Sequence, residues 1–393
     1  MPHYRCVGDV PRKRHSQFRD DAGCLYTEEL VGERGFFHES SLLYHRHLPN
    51  LLVSAESIDL PALTSGALPN LPLVPRKLQT HALPVGSDAV TGRQTILCND
   101  DIRISYAAAD RVSPLLRDAR GDELVFVEEG AANVETVYGV LNVVQGDYVL
   151  IPMGCIHRWV PGAAPLRLLI VEASGHIGLP DRYLSPRGQL LEHAPYSERD
   201  LRGPSGPLHV DEGETDVLVR HRDGVTRHVF ARHPFDVVGW DGCVYPFAFS
   251  IYDFEPIVKR FHAPPPVHET FTGPGFVVCS LCPRPVDFDA TSVPAPYAHS
   301  AIDCDEVMFF LSGNYTIRAG LDIGQGSMTF HPAGFVHGPH PGGAEASLAK
   351  SHHEEYAMMI DTFRPLSLGA VAAACTDADY HTSWLRAAHG VDS

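Results

Sequence analysis

One stretch of this chain occurs twice, and that duplication limits the possible folds more than any other feature. The first copy runs from Asp122-Glu123 to Gly130, then through Gln145-Gly146 to Pro152-Met153-Gly154-Cys155-Ile156-His157. The second runs from Asp305-Glu306 to Gly313, then through Gln325-Gly326 to Pro332-Ala333-Gly334-Phe335-Val336-His337. The Gln-Gly and Pro-x-Gly-x2-His members recur at an offset of 180, and the Asp-Glu and Gly members at 183. Two copies of one supersecondary unit follow. Each unit consists of short apolar or aromatic runs cut by glycine and proline turns, a pattern of antiparallel strands rather than helices.

Glu-x6-Gly followed by Pro-x-Gly-x2-His resembles the two motifs of the cupin barrel, and its appearance twice in register implies a bicupin. The expected fold is mainly β, with two β-barrel or jelly-roll domains and short helices. Residues 1–235 are assigned to an N-terminal segment plus a degenerate, metal-free barrel, whose strands should run from about Lys77 to Val171. Residues 236–393 are assigned to a catalytic barrel. Between the barrels, Val217 to Phe230 reads as a hairpin turning at Asp223-Gly224. Ser367 to Cys375, alanine-rich after Pro365, reads as a short helix.

A chain of 393 residues is long enough for two such domains. Its net charge of −17 (31 basic against 48 acidic residues) argues against a nucleic-acid partner. No apolar run is long enough to span a membrane, and the start, Met1-Pro2-His3-Tyr4-Arg5-Cys6, lacks an apolar signal region; a cytoplasmic protein is expected. The nine scattered cysteines do not form a disulfide framework, and Cys279-x2-Cys282 has no second pair at zinc spacing. Most of the 23 histidines should be bland; His45 and His47 beside Tyr44, and the pair His352-His353, read as surface or loop residues.

Within the second copy, His299, Glu306 and His337 supply two imidazoles and a carboxylate. Such a set holds one face of divalent iron and leaves cis positions for substrate and dioxygen. Many cupins carry His-x-His, but position 301 here is Ala. His299 and Glu306 lie seven apart, which on a straight strand would put them on opposite faces, so a bulge or turn is expected between them. In the first copy the residue seven before Glu123 is Leu116, and only Glu123 and His157 remain of a triad.

Landmarks along the chain extend the resemblance. They include Val10-Pro11-Arg12-Lys13-Arg14-His15, Leu25-Tyr26-Thr27-Glu28-Glu29-Leu30, Ser40-Ser41-Leu42-Leu43-Tyr44-His45 and Trp240-Asp241-Gly242-Cys243-Val244-Tyr245-Pro246. Phe330-His331-Pro332, His337-Gly338-Pro339-His340 and Asp361-Thr362-Phe363-Arg364-Pro365 follow in order. Over nearly its whole length the chain resembles the homogentisate 1,2-dioxygenases, in particular the shorter bacterial forms.

That resemblance implies Fe(II), dioxygen and a small aromatic substrate, a homo-oligomer, and iron held by His299, Glu306 and His337. It implies that His262 acts as acid/base on a substrate hydroxyl, with His268 the alternative in the same loop. Tyr315 and His331 match substrate-binding positions, His331 also a supporting one. Two departures, Ala298 before the first ligand and Ser300-Ala301 after it, leave room for a different hydroquinone or phenol. A non-catalytic binding bicupin, or an isomerase or decarboxylase using another metal, are the alternatives from other classes.

Overall fold

Strands dominate the computed structural model, which describes residues 3–64, 66–313 and 322–388. They form three seven-stranded sheets, a four-stranded sheet and a two-stranded pair. The sequence repeat is also a repeat of register. Glu123–Glu129 pairs antiparallel with Asp147–Ile151, setting Glu123 opposite Ile151. Asp305–Ser312 pairs in the same way with Ser327–His331, setting Glu306 opposite His331. Leu116 lies opposite His157 as His299 lies opposite His337. The turn glycines match too: Gly146 and Gly326 have φ of 88° and 76°, Gly154 and Gly334 of 84° and 75°. Left-handed backbone of this kind is open to glycine at little steric cost, so these four positions are backbone requirements.

The two halves are laced together by exchanged strands. Arg76–Gln79, from the first half of the sequence, pairs with Ser327–His331 and Thr376–Asp377 in the sheet of the second repeat. In return, Phe247–Ser250 pairs with Asp147–Ile151, and Ser367–Leu368 with Gln94–Cys98. The division at 235/236 therefore describes the repeat in sequence, while the sheets run across it.

Alternation along the strands decides which side chains meet. Phe309 points between the barrels, its ring 6.3 Å from Phe126 and 6.5 Å from Tyr106. Tyr148 adds a contact at 5.5 Å to Phe271 and hydrogen-bonds Ser280 at 3.0 Å. Glu306 lies on the opposite face of the same strand, toward the interior of the second barrel. This is why Glu123–Glu129 is buried almost throughout: one face lines its own barrel and the other packs on the neighbour.

Three local expectations need correction. The hairpin is present, but Thr215–His221 and Gly224–Phe230 put His221 opposite Gly224, so Arg222 and Asp223 form the turn. The segment 367–375 divides into the strand Ser367–Leu368, captured by the first barrel, and the single turn Ala372–Cys375. His45 is buried, bonding Asp236 at 2.6 Å and Glu29 at 3.0 Å. No helix among the described residues is long and apolar enough to cross a membrane.

Candidate metal centre

Two short segments and one strand bring His299, Glu306 and His337 together, with one potential ligand atom from each within 4.8 Å of the others. The bridge between residues 299 and 337 carries paired backbone hydrogen bonds of 2.8 Å. After it the chain bends at Ile302 and Asp303, and the strand bearing Glu306 begins at Asp305. The bend turns two residues of odd spacing toward one point. Gly334 donates its N–H to the Ala301 carbonyl at 2.6 Å, tying that bend to the Pro-x-Gly turn before His337.

Both imidazoles are oriented by their own backbone. Nδ1 of His299 donates to the Tyr297 carbonyl at 2.9 Å, and Nδ1 of His337 to the Phe335 carbonyl at 3.0 Å. Each Nε2 is thereby left as the lone-pair nitrogen, the form a metal ligand requires. Nε2 of His337 is buried without a hydrogen bond, 3.3 Å from Glu306 Oε1; Nε2 of His299 is 3.9 Å from Oε2. Burial alone would raise the Glu306 carboxyl, but its contacts with His299, His331 and His337 outweigh that and hold it well below the ordinary range. A carboxylate kept ionised between two imidazole lone pairs fits a divalent cation.

His331 stands behind this set. Its ring is buried, stacked on His337 at 3.9 Å, with Nδ1 3.0 Å from Glu306 Oε1 and Nε2 3.1 Å from the Tyr380 hydroxyl. In this position it stands behind the carboxylate, which corresponds to the supporting one of the two roles expected of it. Tyr380 and Trp384, near the C-terminal end of the described residues, pack against its other side. Asp361, across the strand pair from Glu306, has its carboxyl pushed up to about 7 by burial and by the Glu306 charge. Sequence reading missed Tyr380 and Trp384 because no local pattern ties residue 380 to residue 331.

His262 and His268 separate clearly. His268 is buried, with Nε2 at 3.0 Å from the Ile257 N–H, and burial lowers it to about 4. It anchors its loop. His262 is partly exposed, its ring 4.8 Å from Tyr297, whose ring is 6.4 Å from His299. It borders a surface cleft with Tyr297, Ala298 and His340, and also a cavity inside the barrel lined by Met308, Phe310, Arg284 and Lys350. Met308 and Phe310 alternate with Glu306 along one strand, so that cavity lies on the same face as the carboxylate. Tyr315 lies outside the described residues.

The corresponding place in the first barrel is filled by a cation of the protein itself. The Arg93 guanidinium bonds both oxygens of Glu123, at 2.7 and 3.1 Å, and Glu172 at 2.7 Å. Glu172 faces Glu123 across the sheet as Asp361 faces Glu306. Arg220 bridges Glu172 at 2.6 Å and Asp118 at 2.8 Å. Three buried carboxylates are thus met by two buried guanidiniums. His157 keeps the orientation of its counterpart, with Nδ1 3.2 Å from the Cys155 carbonyl.

The family described as homogentisate 1,2-dioxygenase N-terminal matches residues 86–251. Over 388 residues the chain is 35% identical to "Putative dioxygenase SSO1533" of Saccharolobus solfataricus, covering 98% of this chain and 99% of that protein. Homogentisate 1,2-dioxygenase of Sinorhizobium medicae is 27% identical over 371 residues, 86% of this chain and 79% of its own. That of Emericella nidulans is 26% identical over 265 residues, 64% and 57% of the respective chains. Among solved structures, a cupin 2 conserved barrel domain protein from Leptotrichia buccalis aligns with a TM-score of 0.35 and 10% identity, covering 74% of this chain and 97% of its own.

Proposed function

The chain belongs to the homogentisate 1,2-dioxygenase-like family of dioxygenases, and from that membership we propose an Fe(II)-dependent enzyme that opens the ring of homogentisate with dioxygen to give maleylacetoacetate. The observation that carries the reading is the convergence of His299, Glu306 and His337, with Nε2 of His337 buried and unbonded. Iron held by these three would supply redox chemistry and make a ring hydroxyl easier to deprotonate.

The remaining work falls to the chain. His331 and Tyr380 fix Glu306 in place. To partly exposed His262 we assign the removal of a proton from a ring hydroxyl. Arg284 and Lys350 line the cavity on the Glu306 face beside Asp287 and Glu355, with Glu355 3.6 Å from the Arg284 guanidinium, and we assign these two cations to a substrate carboxylate. Tyr315 enters on the family resemblance alone. The edge strand Leu52–Ile58 and the exposed Phe36 and Phe37 support a homo-oligomer, which light scattering would measure. A different hydroquinone is the second reading, favoured by the small Ala298 lining the cleft beside His262.

Oxygen uptake by the Fe(II)-loaded protein with homogentisate, gentisate and hydroquinone tests both, with His299→Ala as control. Stoichiometric uptake with homogentisate alone, lost in the control, supports the first reading. Iron bound without uptake on homogentisate rejects that substrate.

A further inference from the structure

The first barrel, whose metal position is taken by Arg93, still has an opening of its own. A cavity of about 370 Å³ lies against its Pro152-Met153-Gly154-Cys155 turn, the counterpart of the turn that precedes His337. That volume is in the range of small-molecule sites. Its wall is partly apolar, with Leu43, Val137, Ile156 and Phe230.

The charges in this wall do not cancel. Glu29 and Asp236 are both bonded by His45, at 3.0 and 2.6 Å, and Asp236 also accepts the His47 N–H at 2.8 Å. These bonds raise the His45 imidazole to about 9 against the opposing effect of burial, so it is charged at neutral pH. Arg117 and Arg232 line the same cavity, and neither guanidinium makes a hydrogen bond or ion pair among the described residues. Two carboxylates therefore face one imidazolium and two guanidiniums, leaving one positive charge in excess.

A second observation points the same way. His233 lines this cavity and is 2% exposed. Its Nδ1 accepts the Phe235 N–H at 3.1 Å, so Nε2 carries the ring proton, and this buried N–H has no acceptor. A buried donor without a partner costs about 1–3 kcal/mol, which an acceptor arriving with a ligand would recover. Unpaired cations, an unused donor and an apolar wall form a complementary set.

We propose that this cavity is a second binding site, separate from the iron centre, for a small organic anion: a carboxylate on an apolar or aromatic body. Arg117 and His233 meet the carboxylate, and the body lies against Val137 and Ile156. Arg117 directly follows Leu116, the counterpart of His299, so the barrel that lost a metal ligand carries a guanidinium one residue on.

The test is calorimetric titration of the metal-stripped protein with phenylacetate, and with uncharged 2-phenylethanol. Saturable binding of phenylacetate is expected, weakened roughly tenfold or more in Arg117→Gln. Arg232→Gln, at an exposed position, should weaken it too and serves if Arg117→Gln does not fold. Absence of saturable binding, or equal binding of 2-phenylethanol, overturns the proposal. So does binding that survives both arginine changes, which would locate the anion elsewhere, for instance at Arg284 and Lys350 of the second barrel. Because the catalytic reading is tested by oxygen uptake and His299→Ala, and the two cavities share no lining residue, failure here and failure of that reading give different results.

Discussion

Replacing Arg93 with methionine should destabilise the first barrel by about 3–5 kcal/mol at neutral pH, the usual cost of stripping one partner from a buried ion pair. Arg93 and its two carboxylate partners have side chains no more than 1% exposed, so solvent cannot replace the lost cation. The guanidinium gives three bonds to Glu123 and Glu172 and one, at 3.0 Å, to the Ala89 carbonyl. Arg220 remains for Glu172 and Asp118, so Glu123 loses most. In the intact protein burial would raise the Glu123 carboxyl, but Arg93 and His157 more than offset this and hold it at about 2. A carboxyl lowered on folding stabilises above its unfolded pKa, near 4.3, and the stability is lost as pH falls through 2. Without Arg93 the same carboxyl rises, so the variant's deficit should be full at pH 7 and shrink toward pH 4. Urea unfolding monitored by tryptophan fluorescence measures it. A loss below about 1 kcal/mol at pH 7, or no recovery in Arg93→Met/Glu123→Gln, would refute the reasoning.

Removing His45 should produce the opposite pH dependence. Its imidazole is raised from 6.5 to about 9, so its contribution is complete below 6.5 and gone above 9; the stability gap to His45→Gln should be about 2–3 kcal/mol at pH 7 and close by pH 10. Gly334→Ala, with open space around the added Cβ but a φ of 75°, should cost about 1–2 kcal/mol in thermal unfolding. Tyr380→Phe should cost about 1 kcal/mol through its lost bond to His331 and lower metal retention on dialysis, whereas an unchanged metal content would remove Tyr380 from the support of Glu306.

What was legible in the sequence was the part written in local chemistry. Gly154 and Gly334, Gly146 and Gly326 stand where the backbone must be left-handed, so the duplication shows directly in the letters. The spacing of His299 and Glu306 required a bend, and the chain bends at Ile302. What was not legible depended on contacts across long separations. Nothing near Arg93 marks it as the partner of Glu123 and Glu172, thirty and seventy-nine residues away. Arg76–Gln79 and Ser367–Leu368 are short, and only the completed sheets show that each belongs to the other half. His45 looked like a surface residue because Glu29 and Asp236 reach it only through two strand pairings, Thr27–Gly32 and Val237–Gly242 on either side of Ser40–His45.

The two barrels solve one electrostatic problem in two ways. Each places a glutamate at the start of a buried strand, opposite a second carboxyl on the neighbouring strand: Glu123 with Glu172, Glu306 with Asp361. Such a pair is costly unless a cation meets it. In the first barrel Arg93 and Arg220 meet the carboxylates with the protein's own positive charge. In the second, among the described residues, no guanidinium reaches Glu306; imidazoles surround it, and Asp361 is pushed toward neutrality instead. A site left short of positive charge, with oriented lone pairs around it, is prepared for an exchangeable cation. Each half therefore has a reason to keep its carboxylates, and the second has a further reason to keep the imidazoles that surround Glu306.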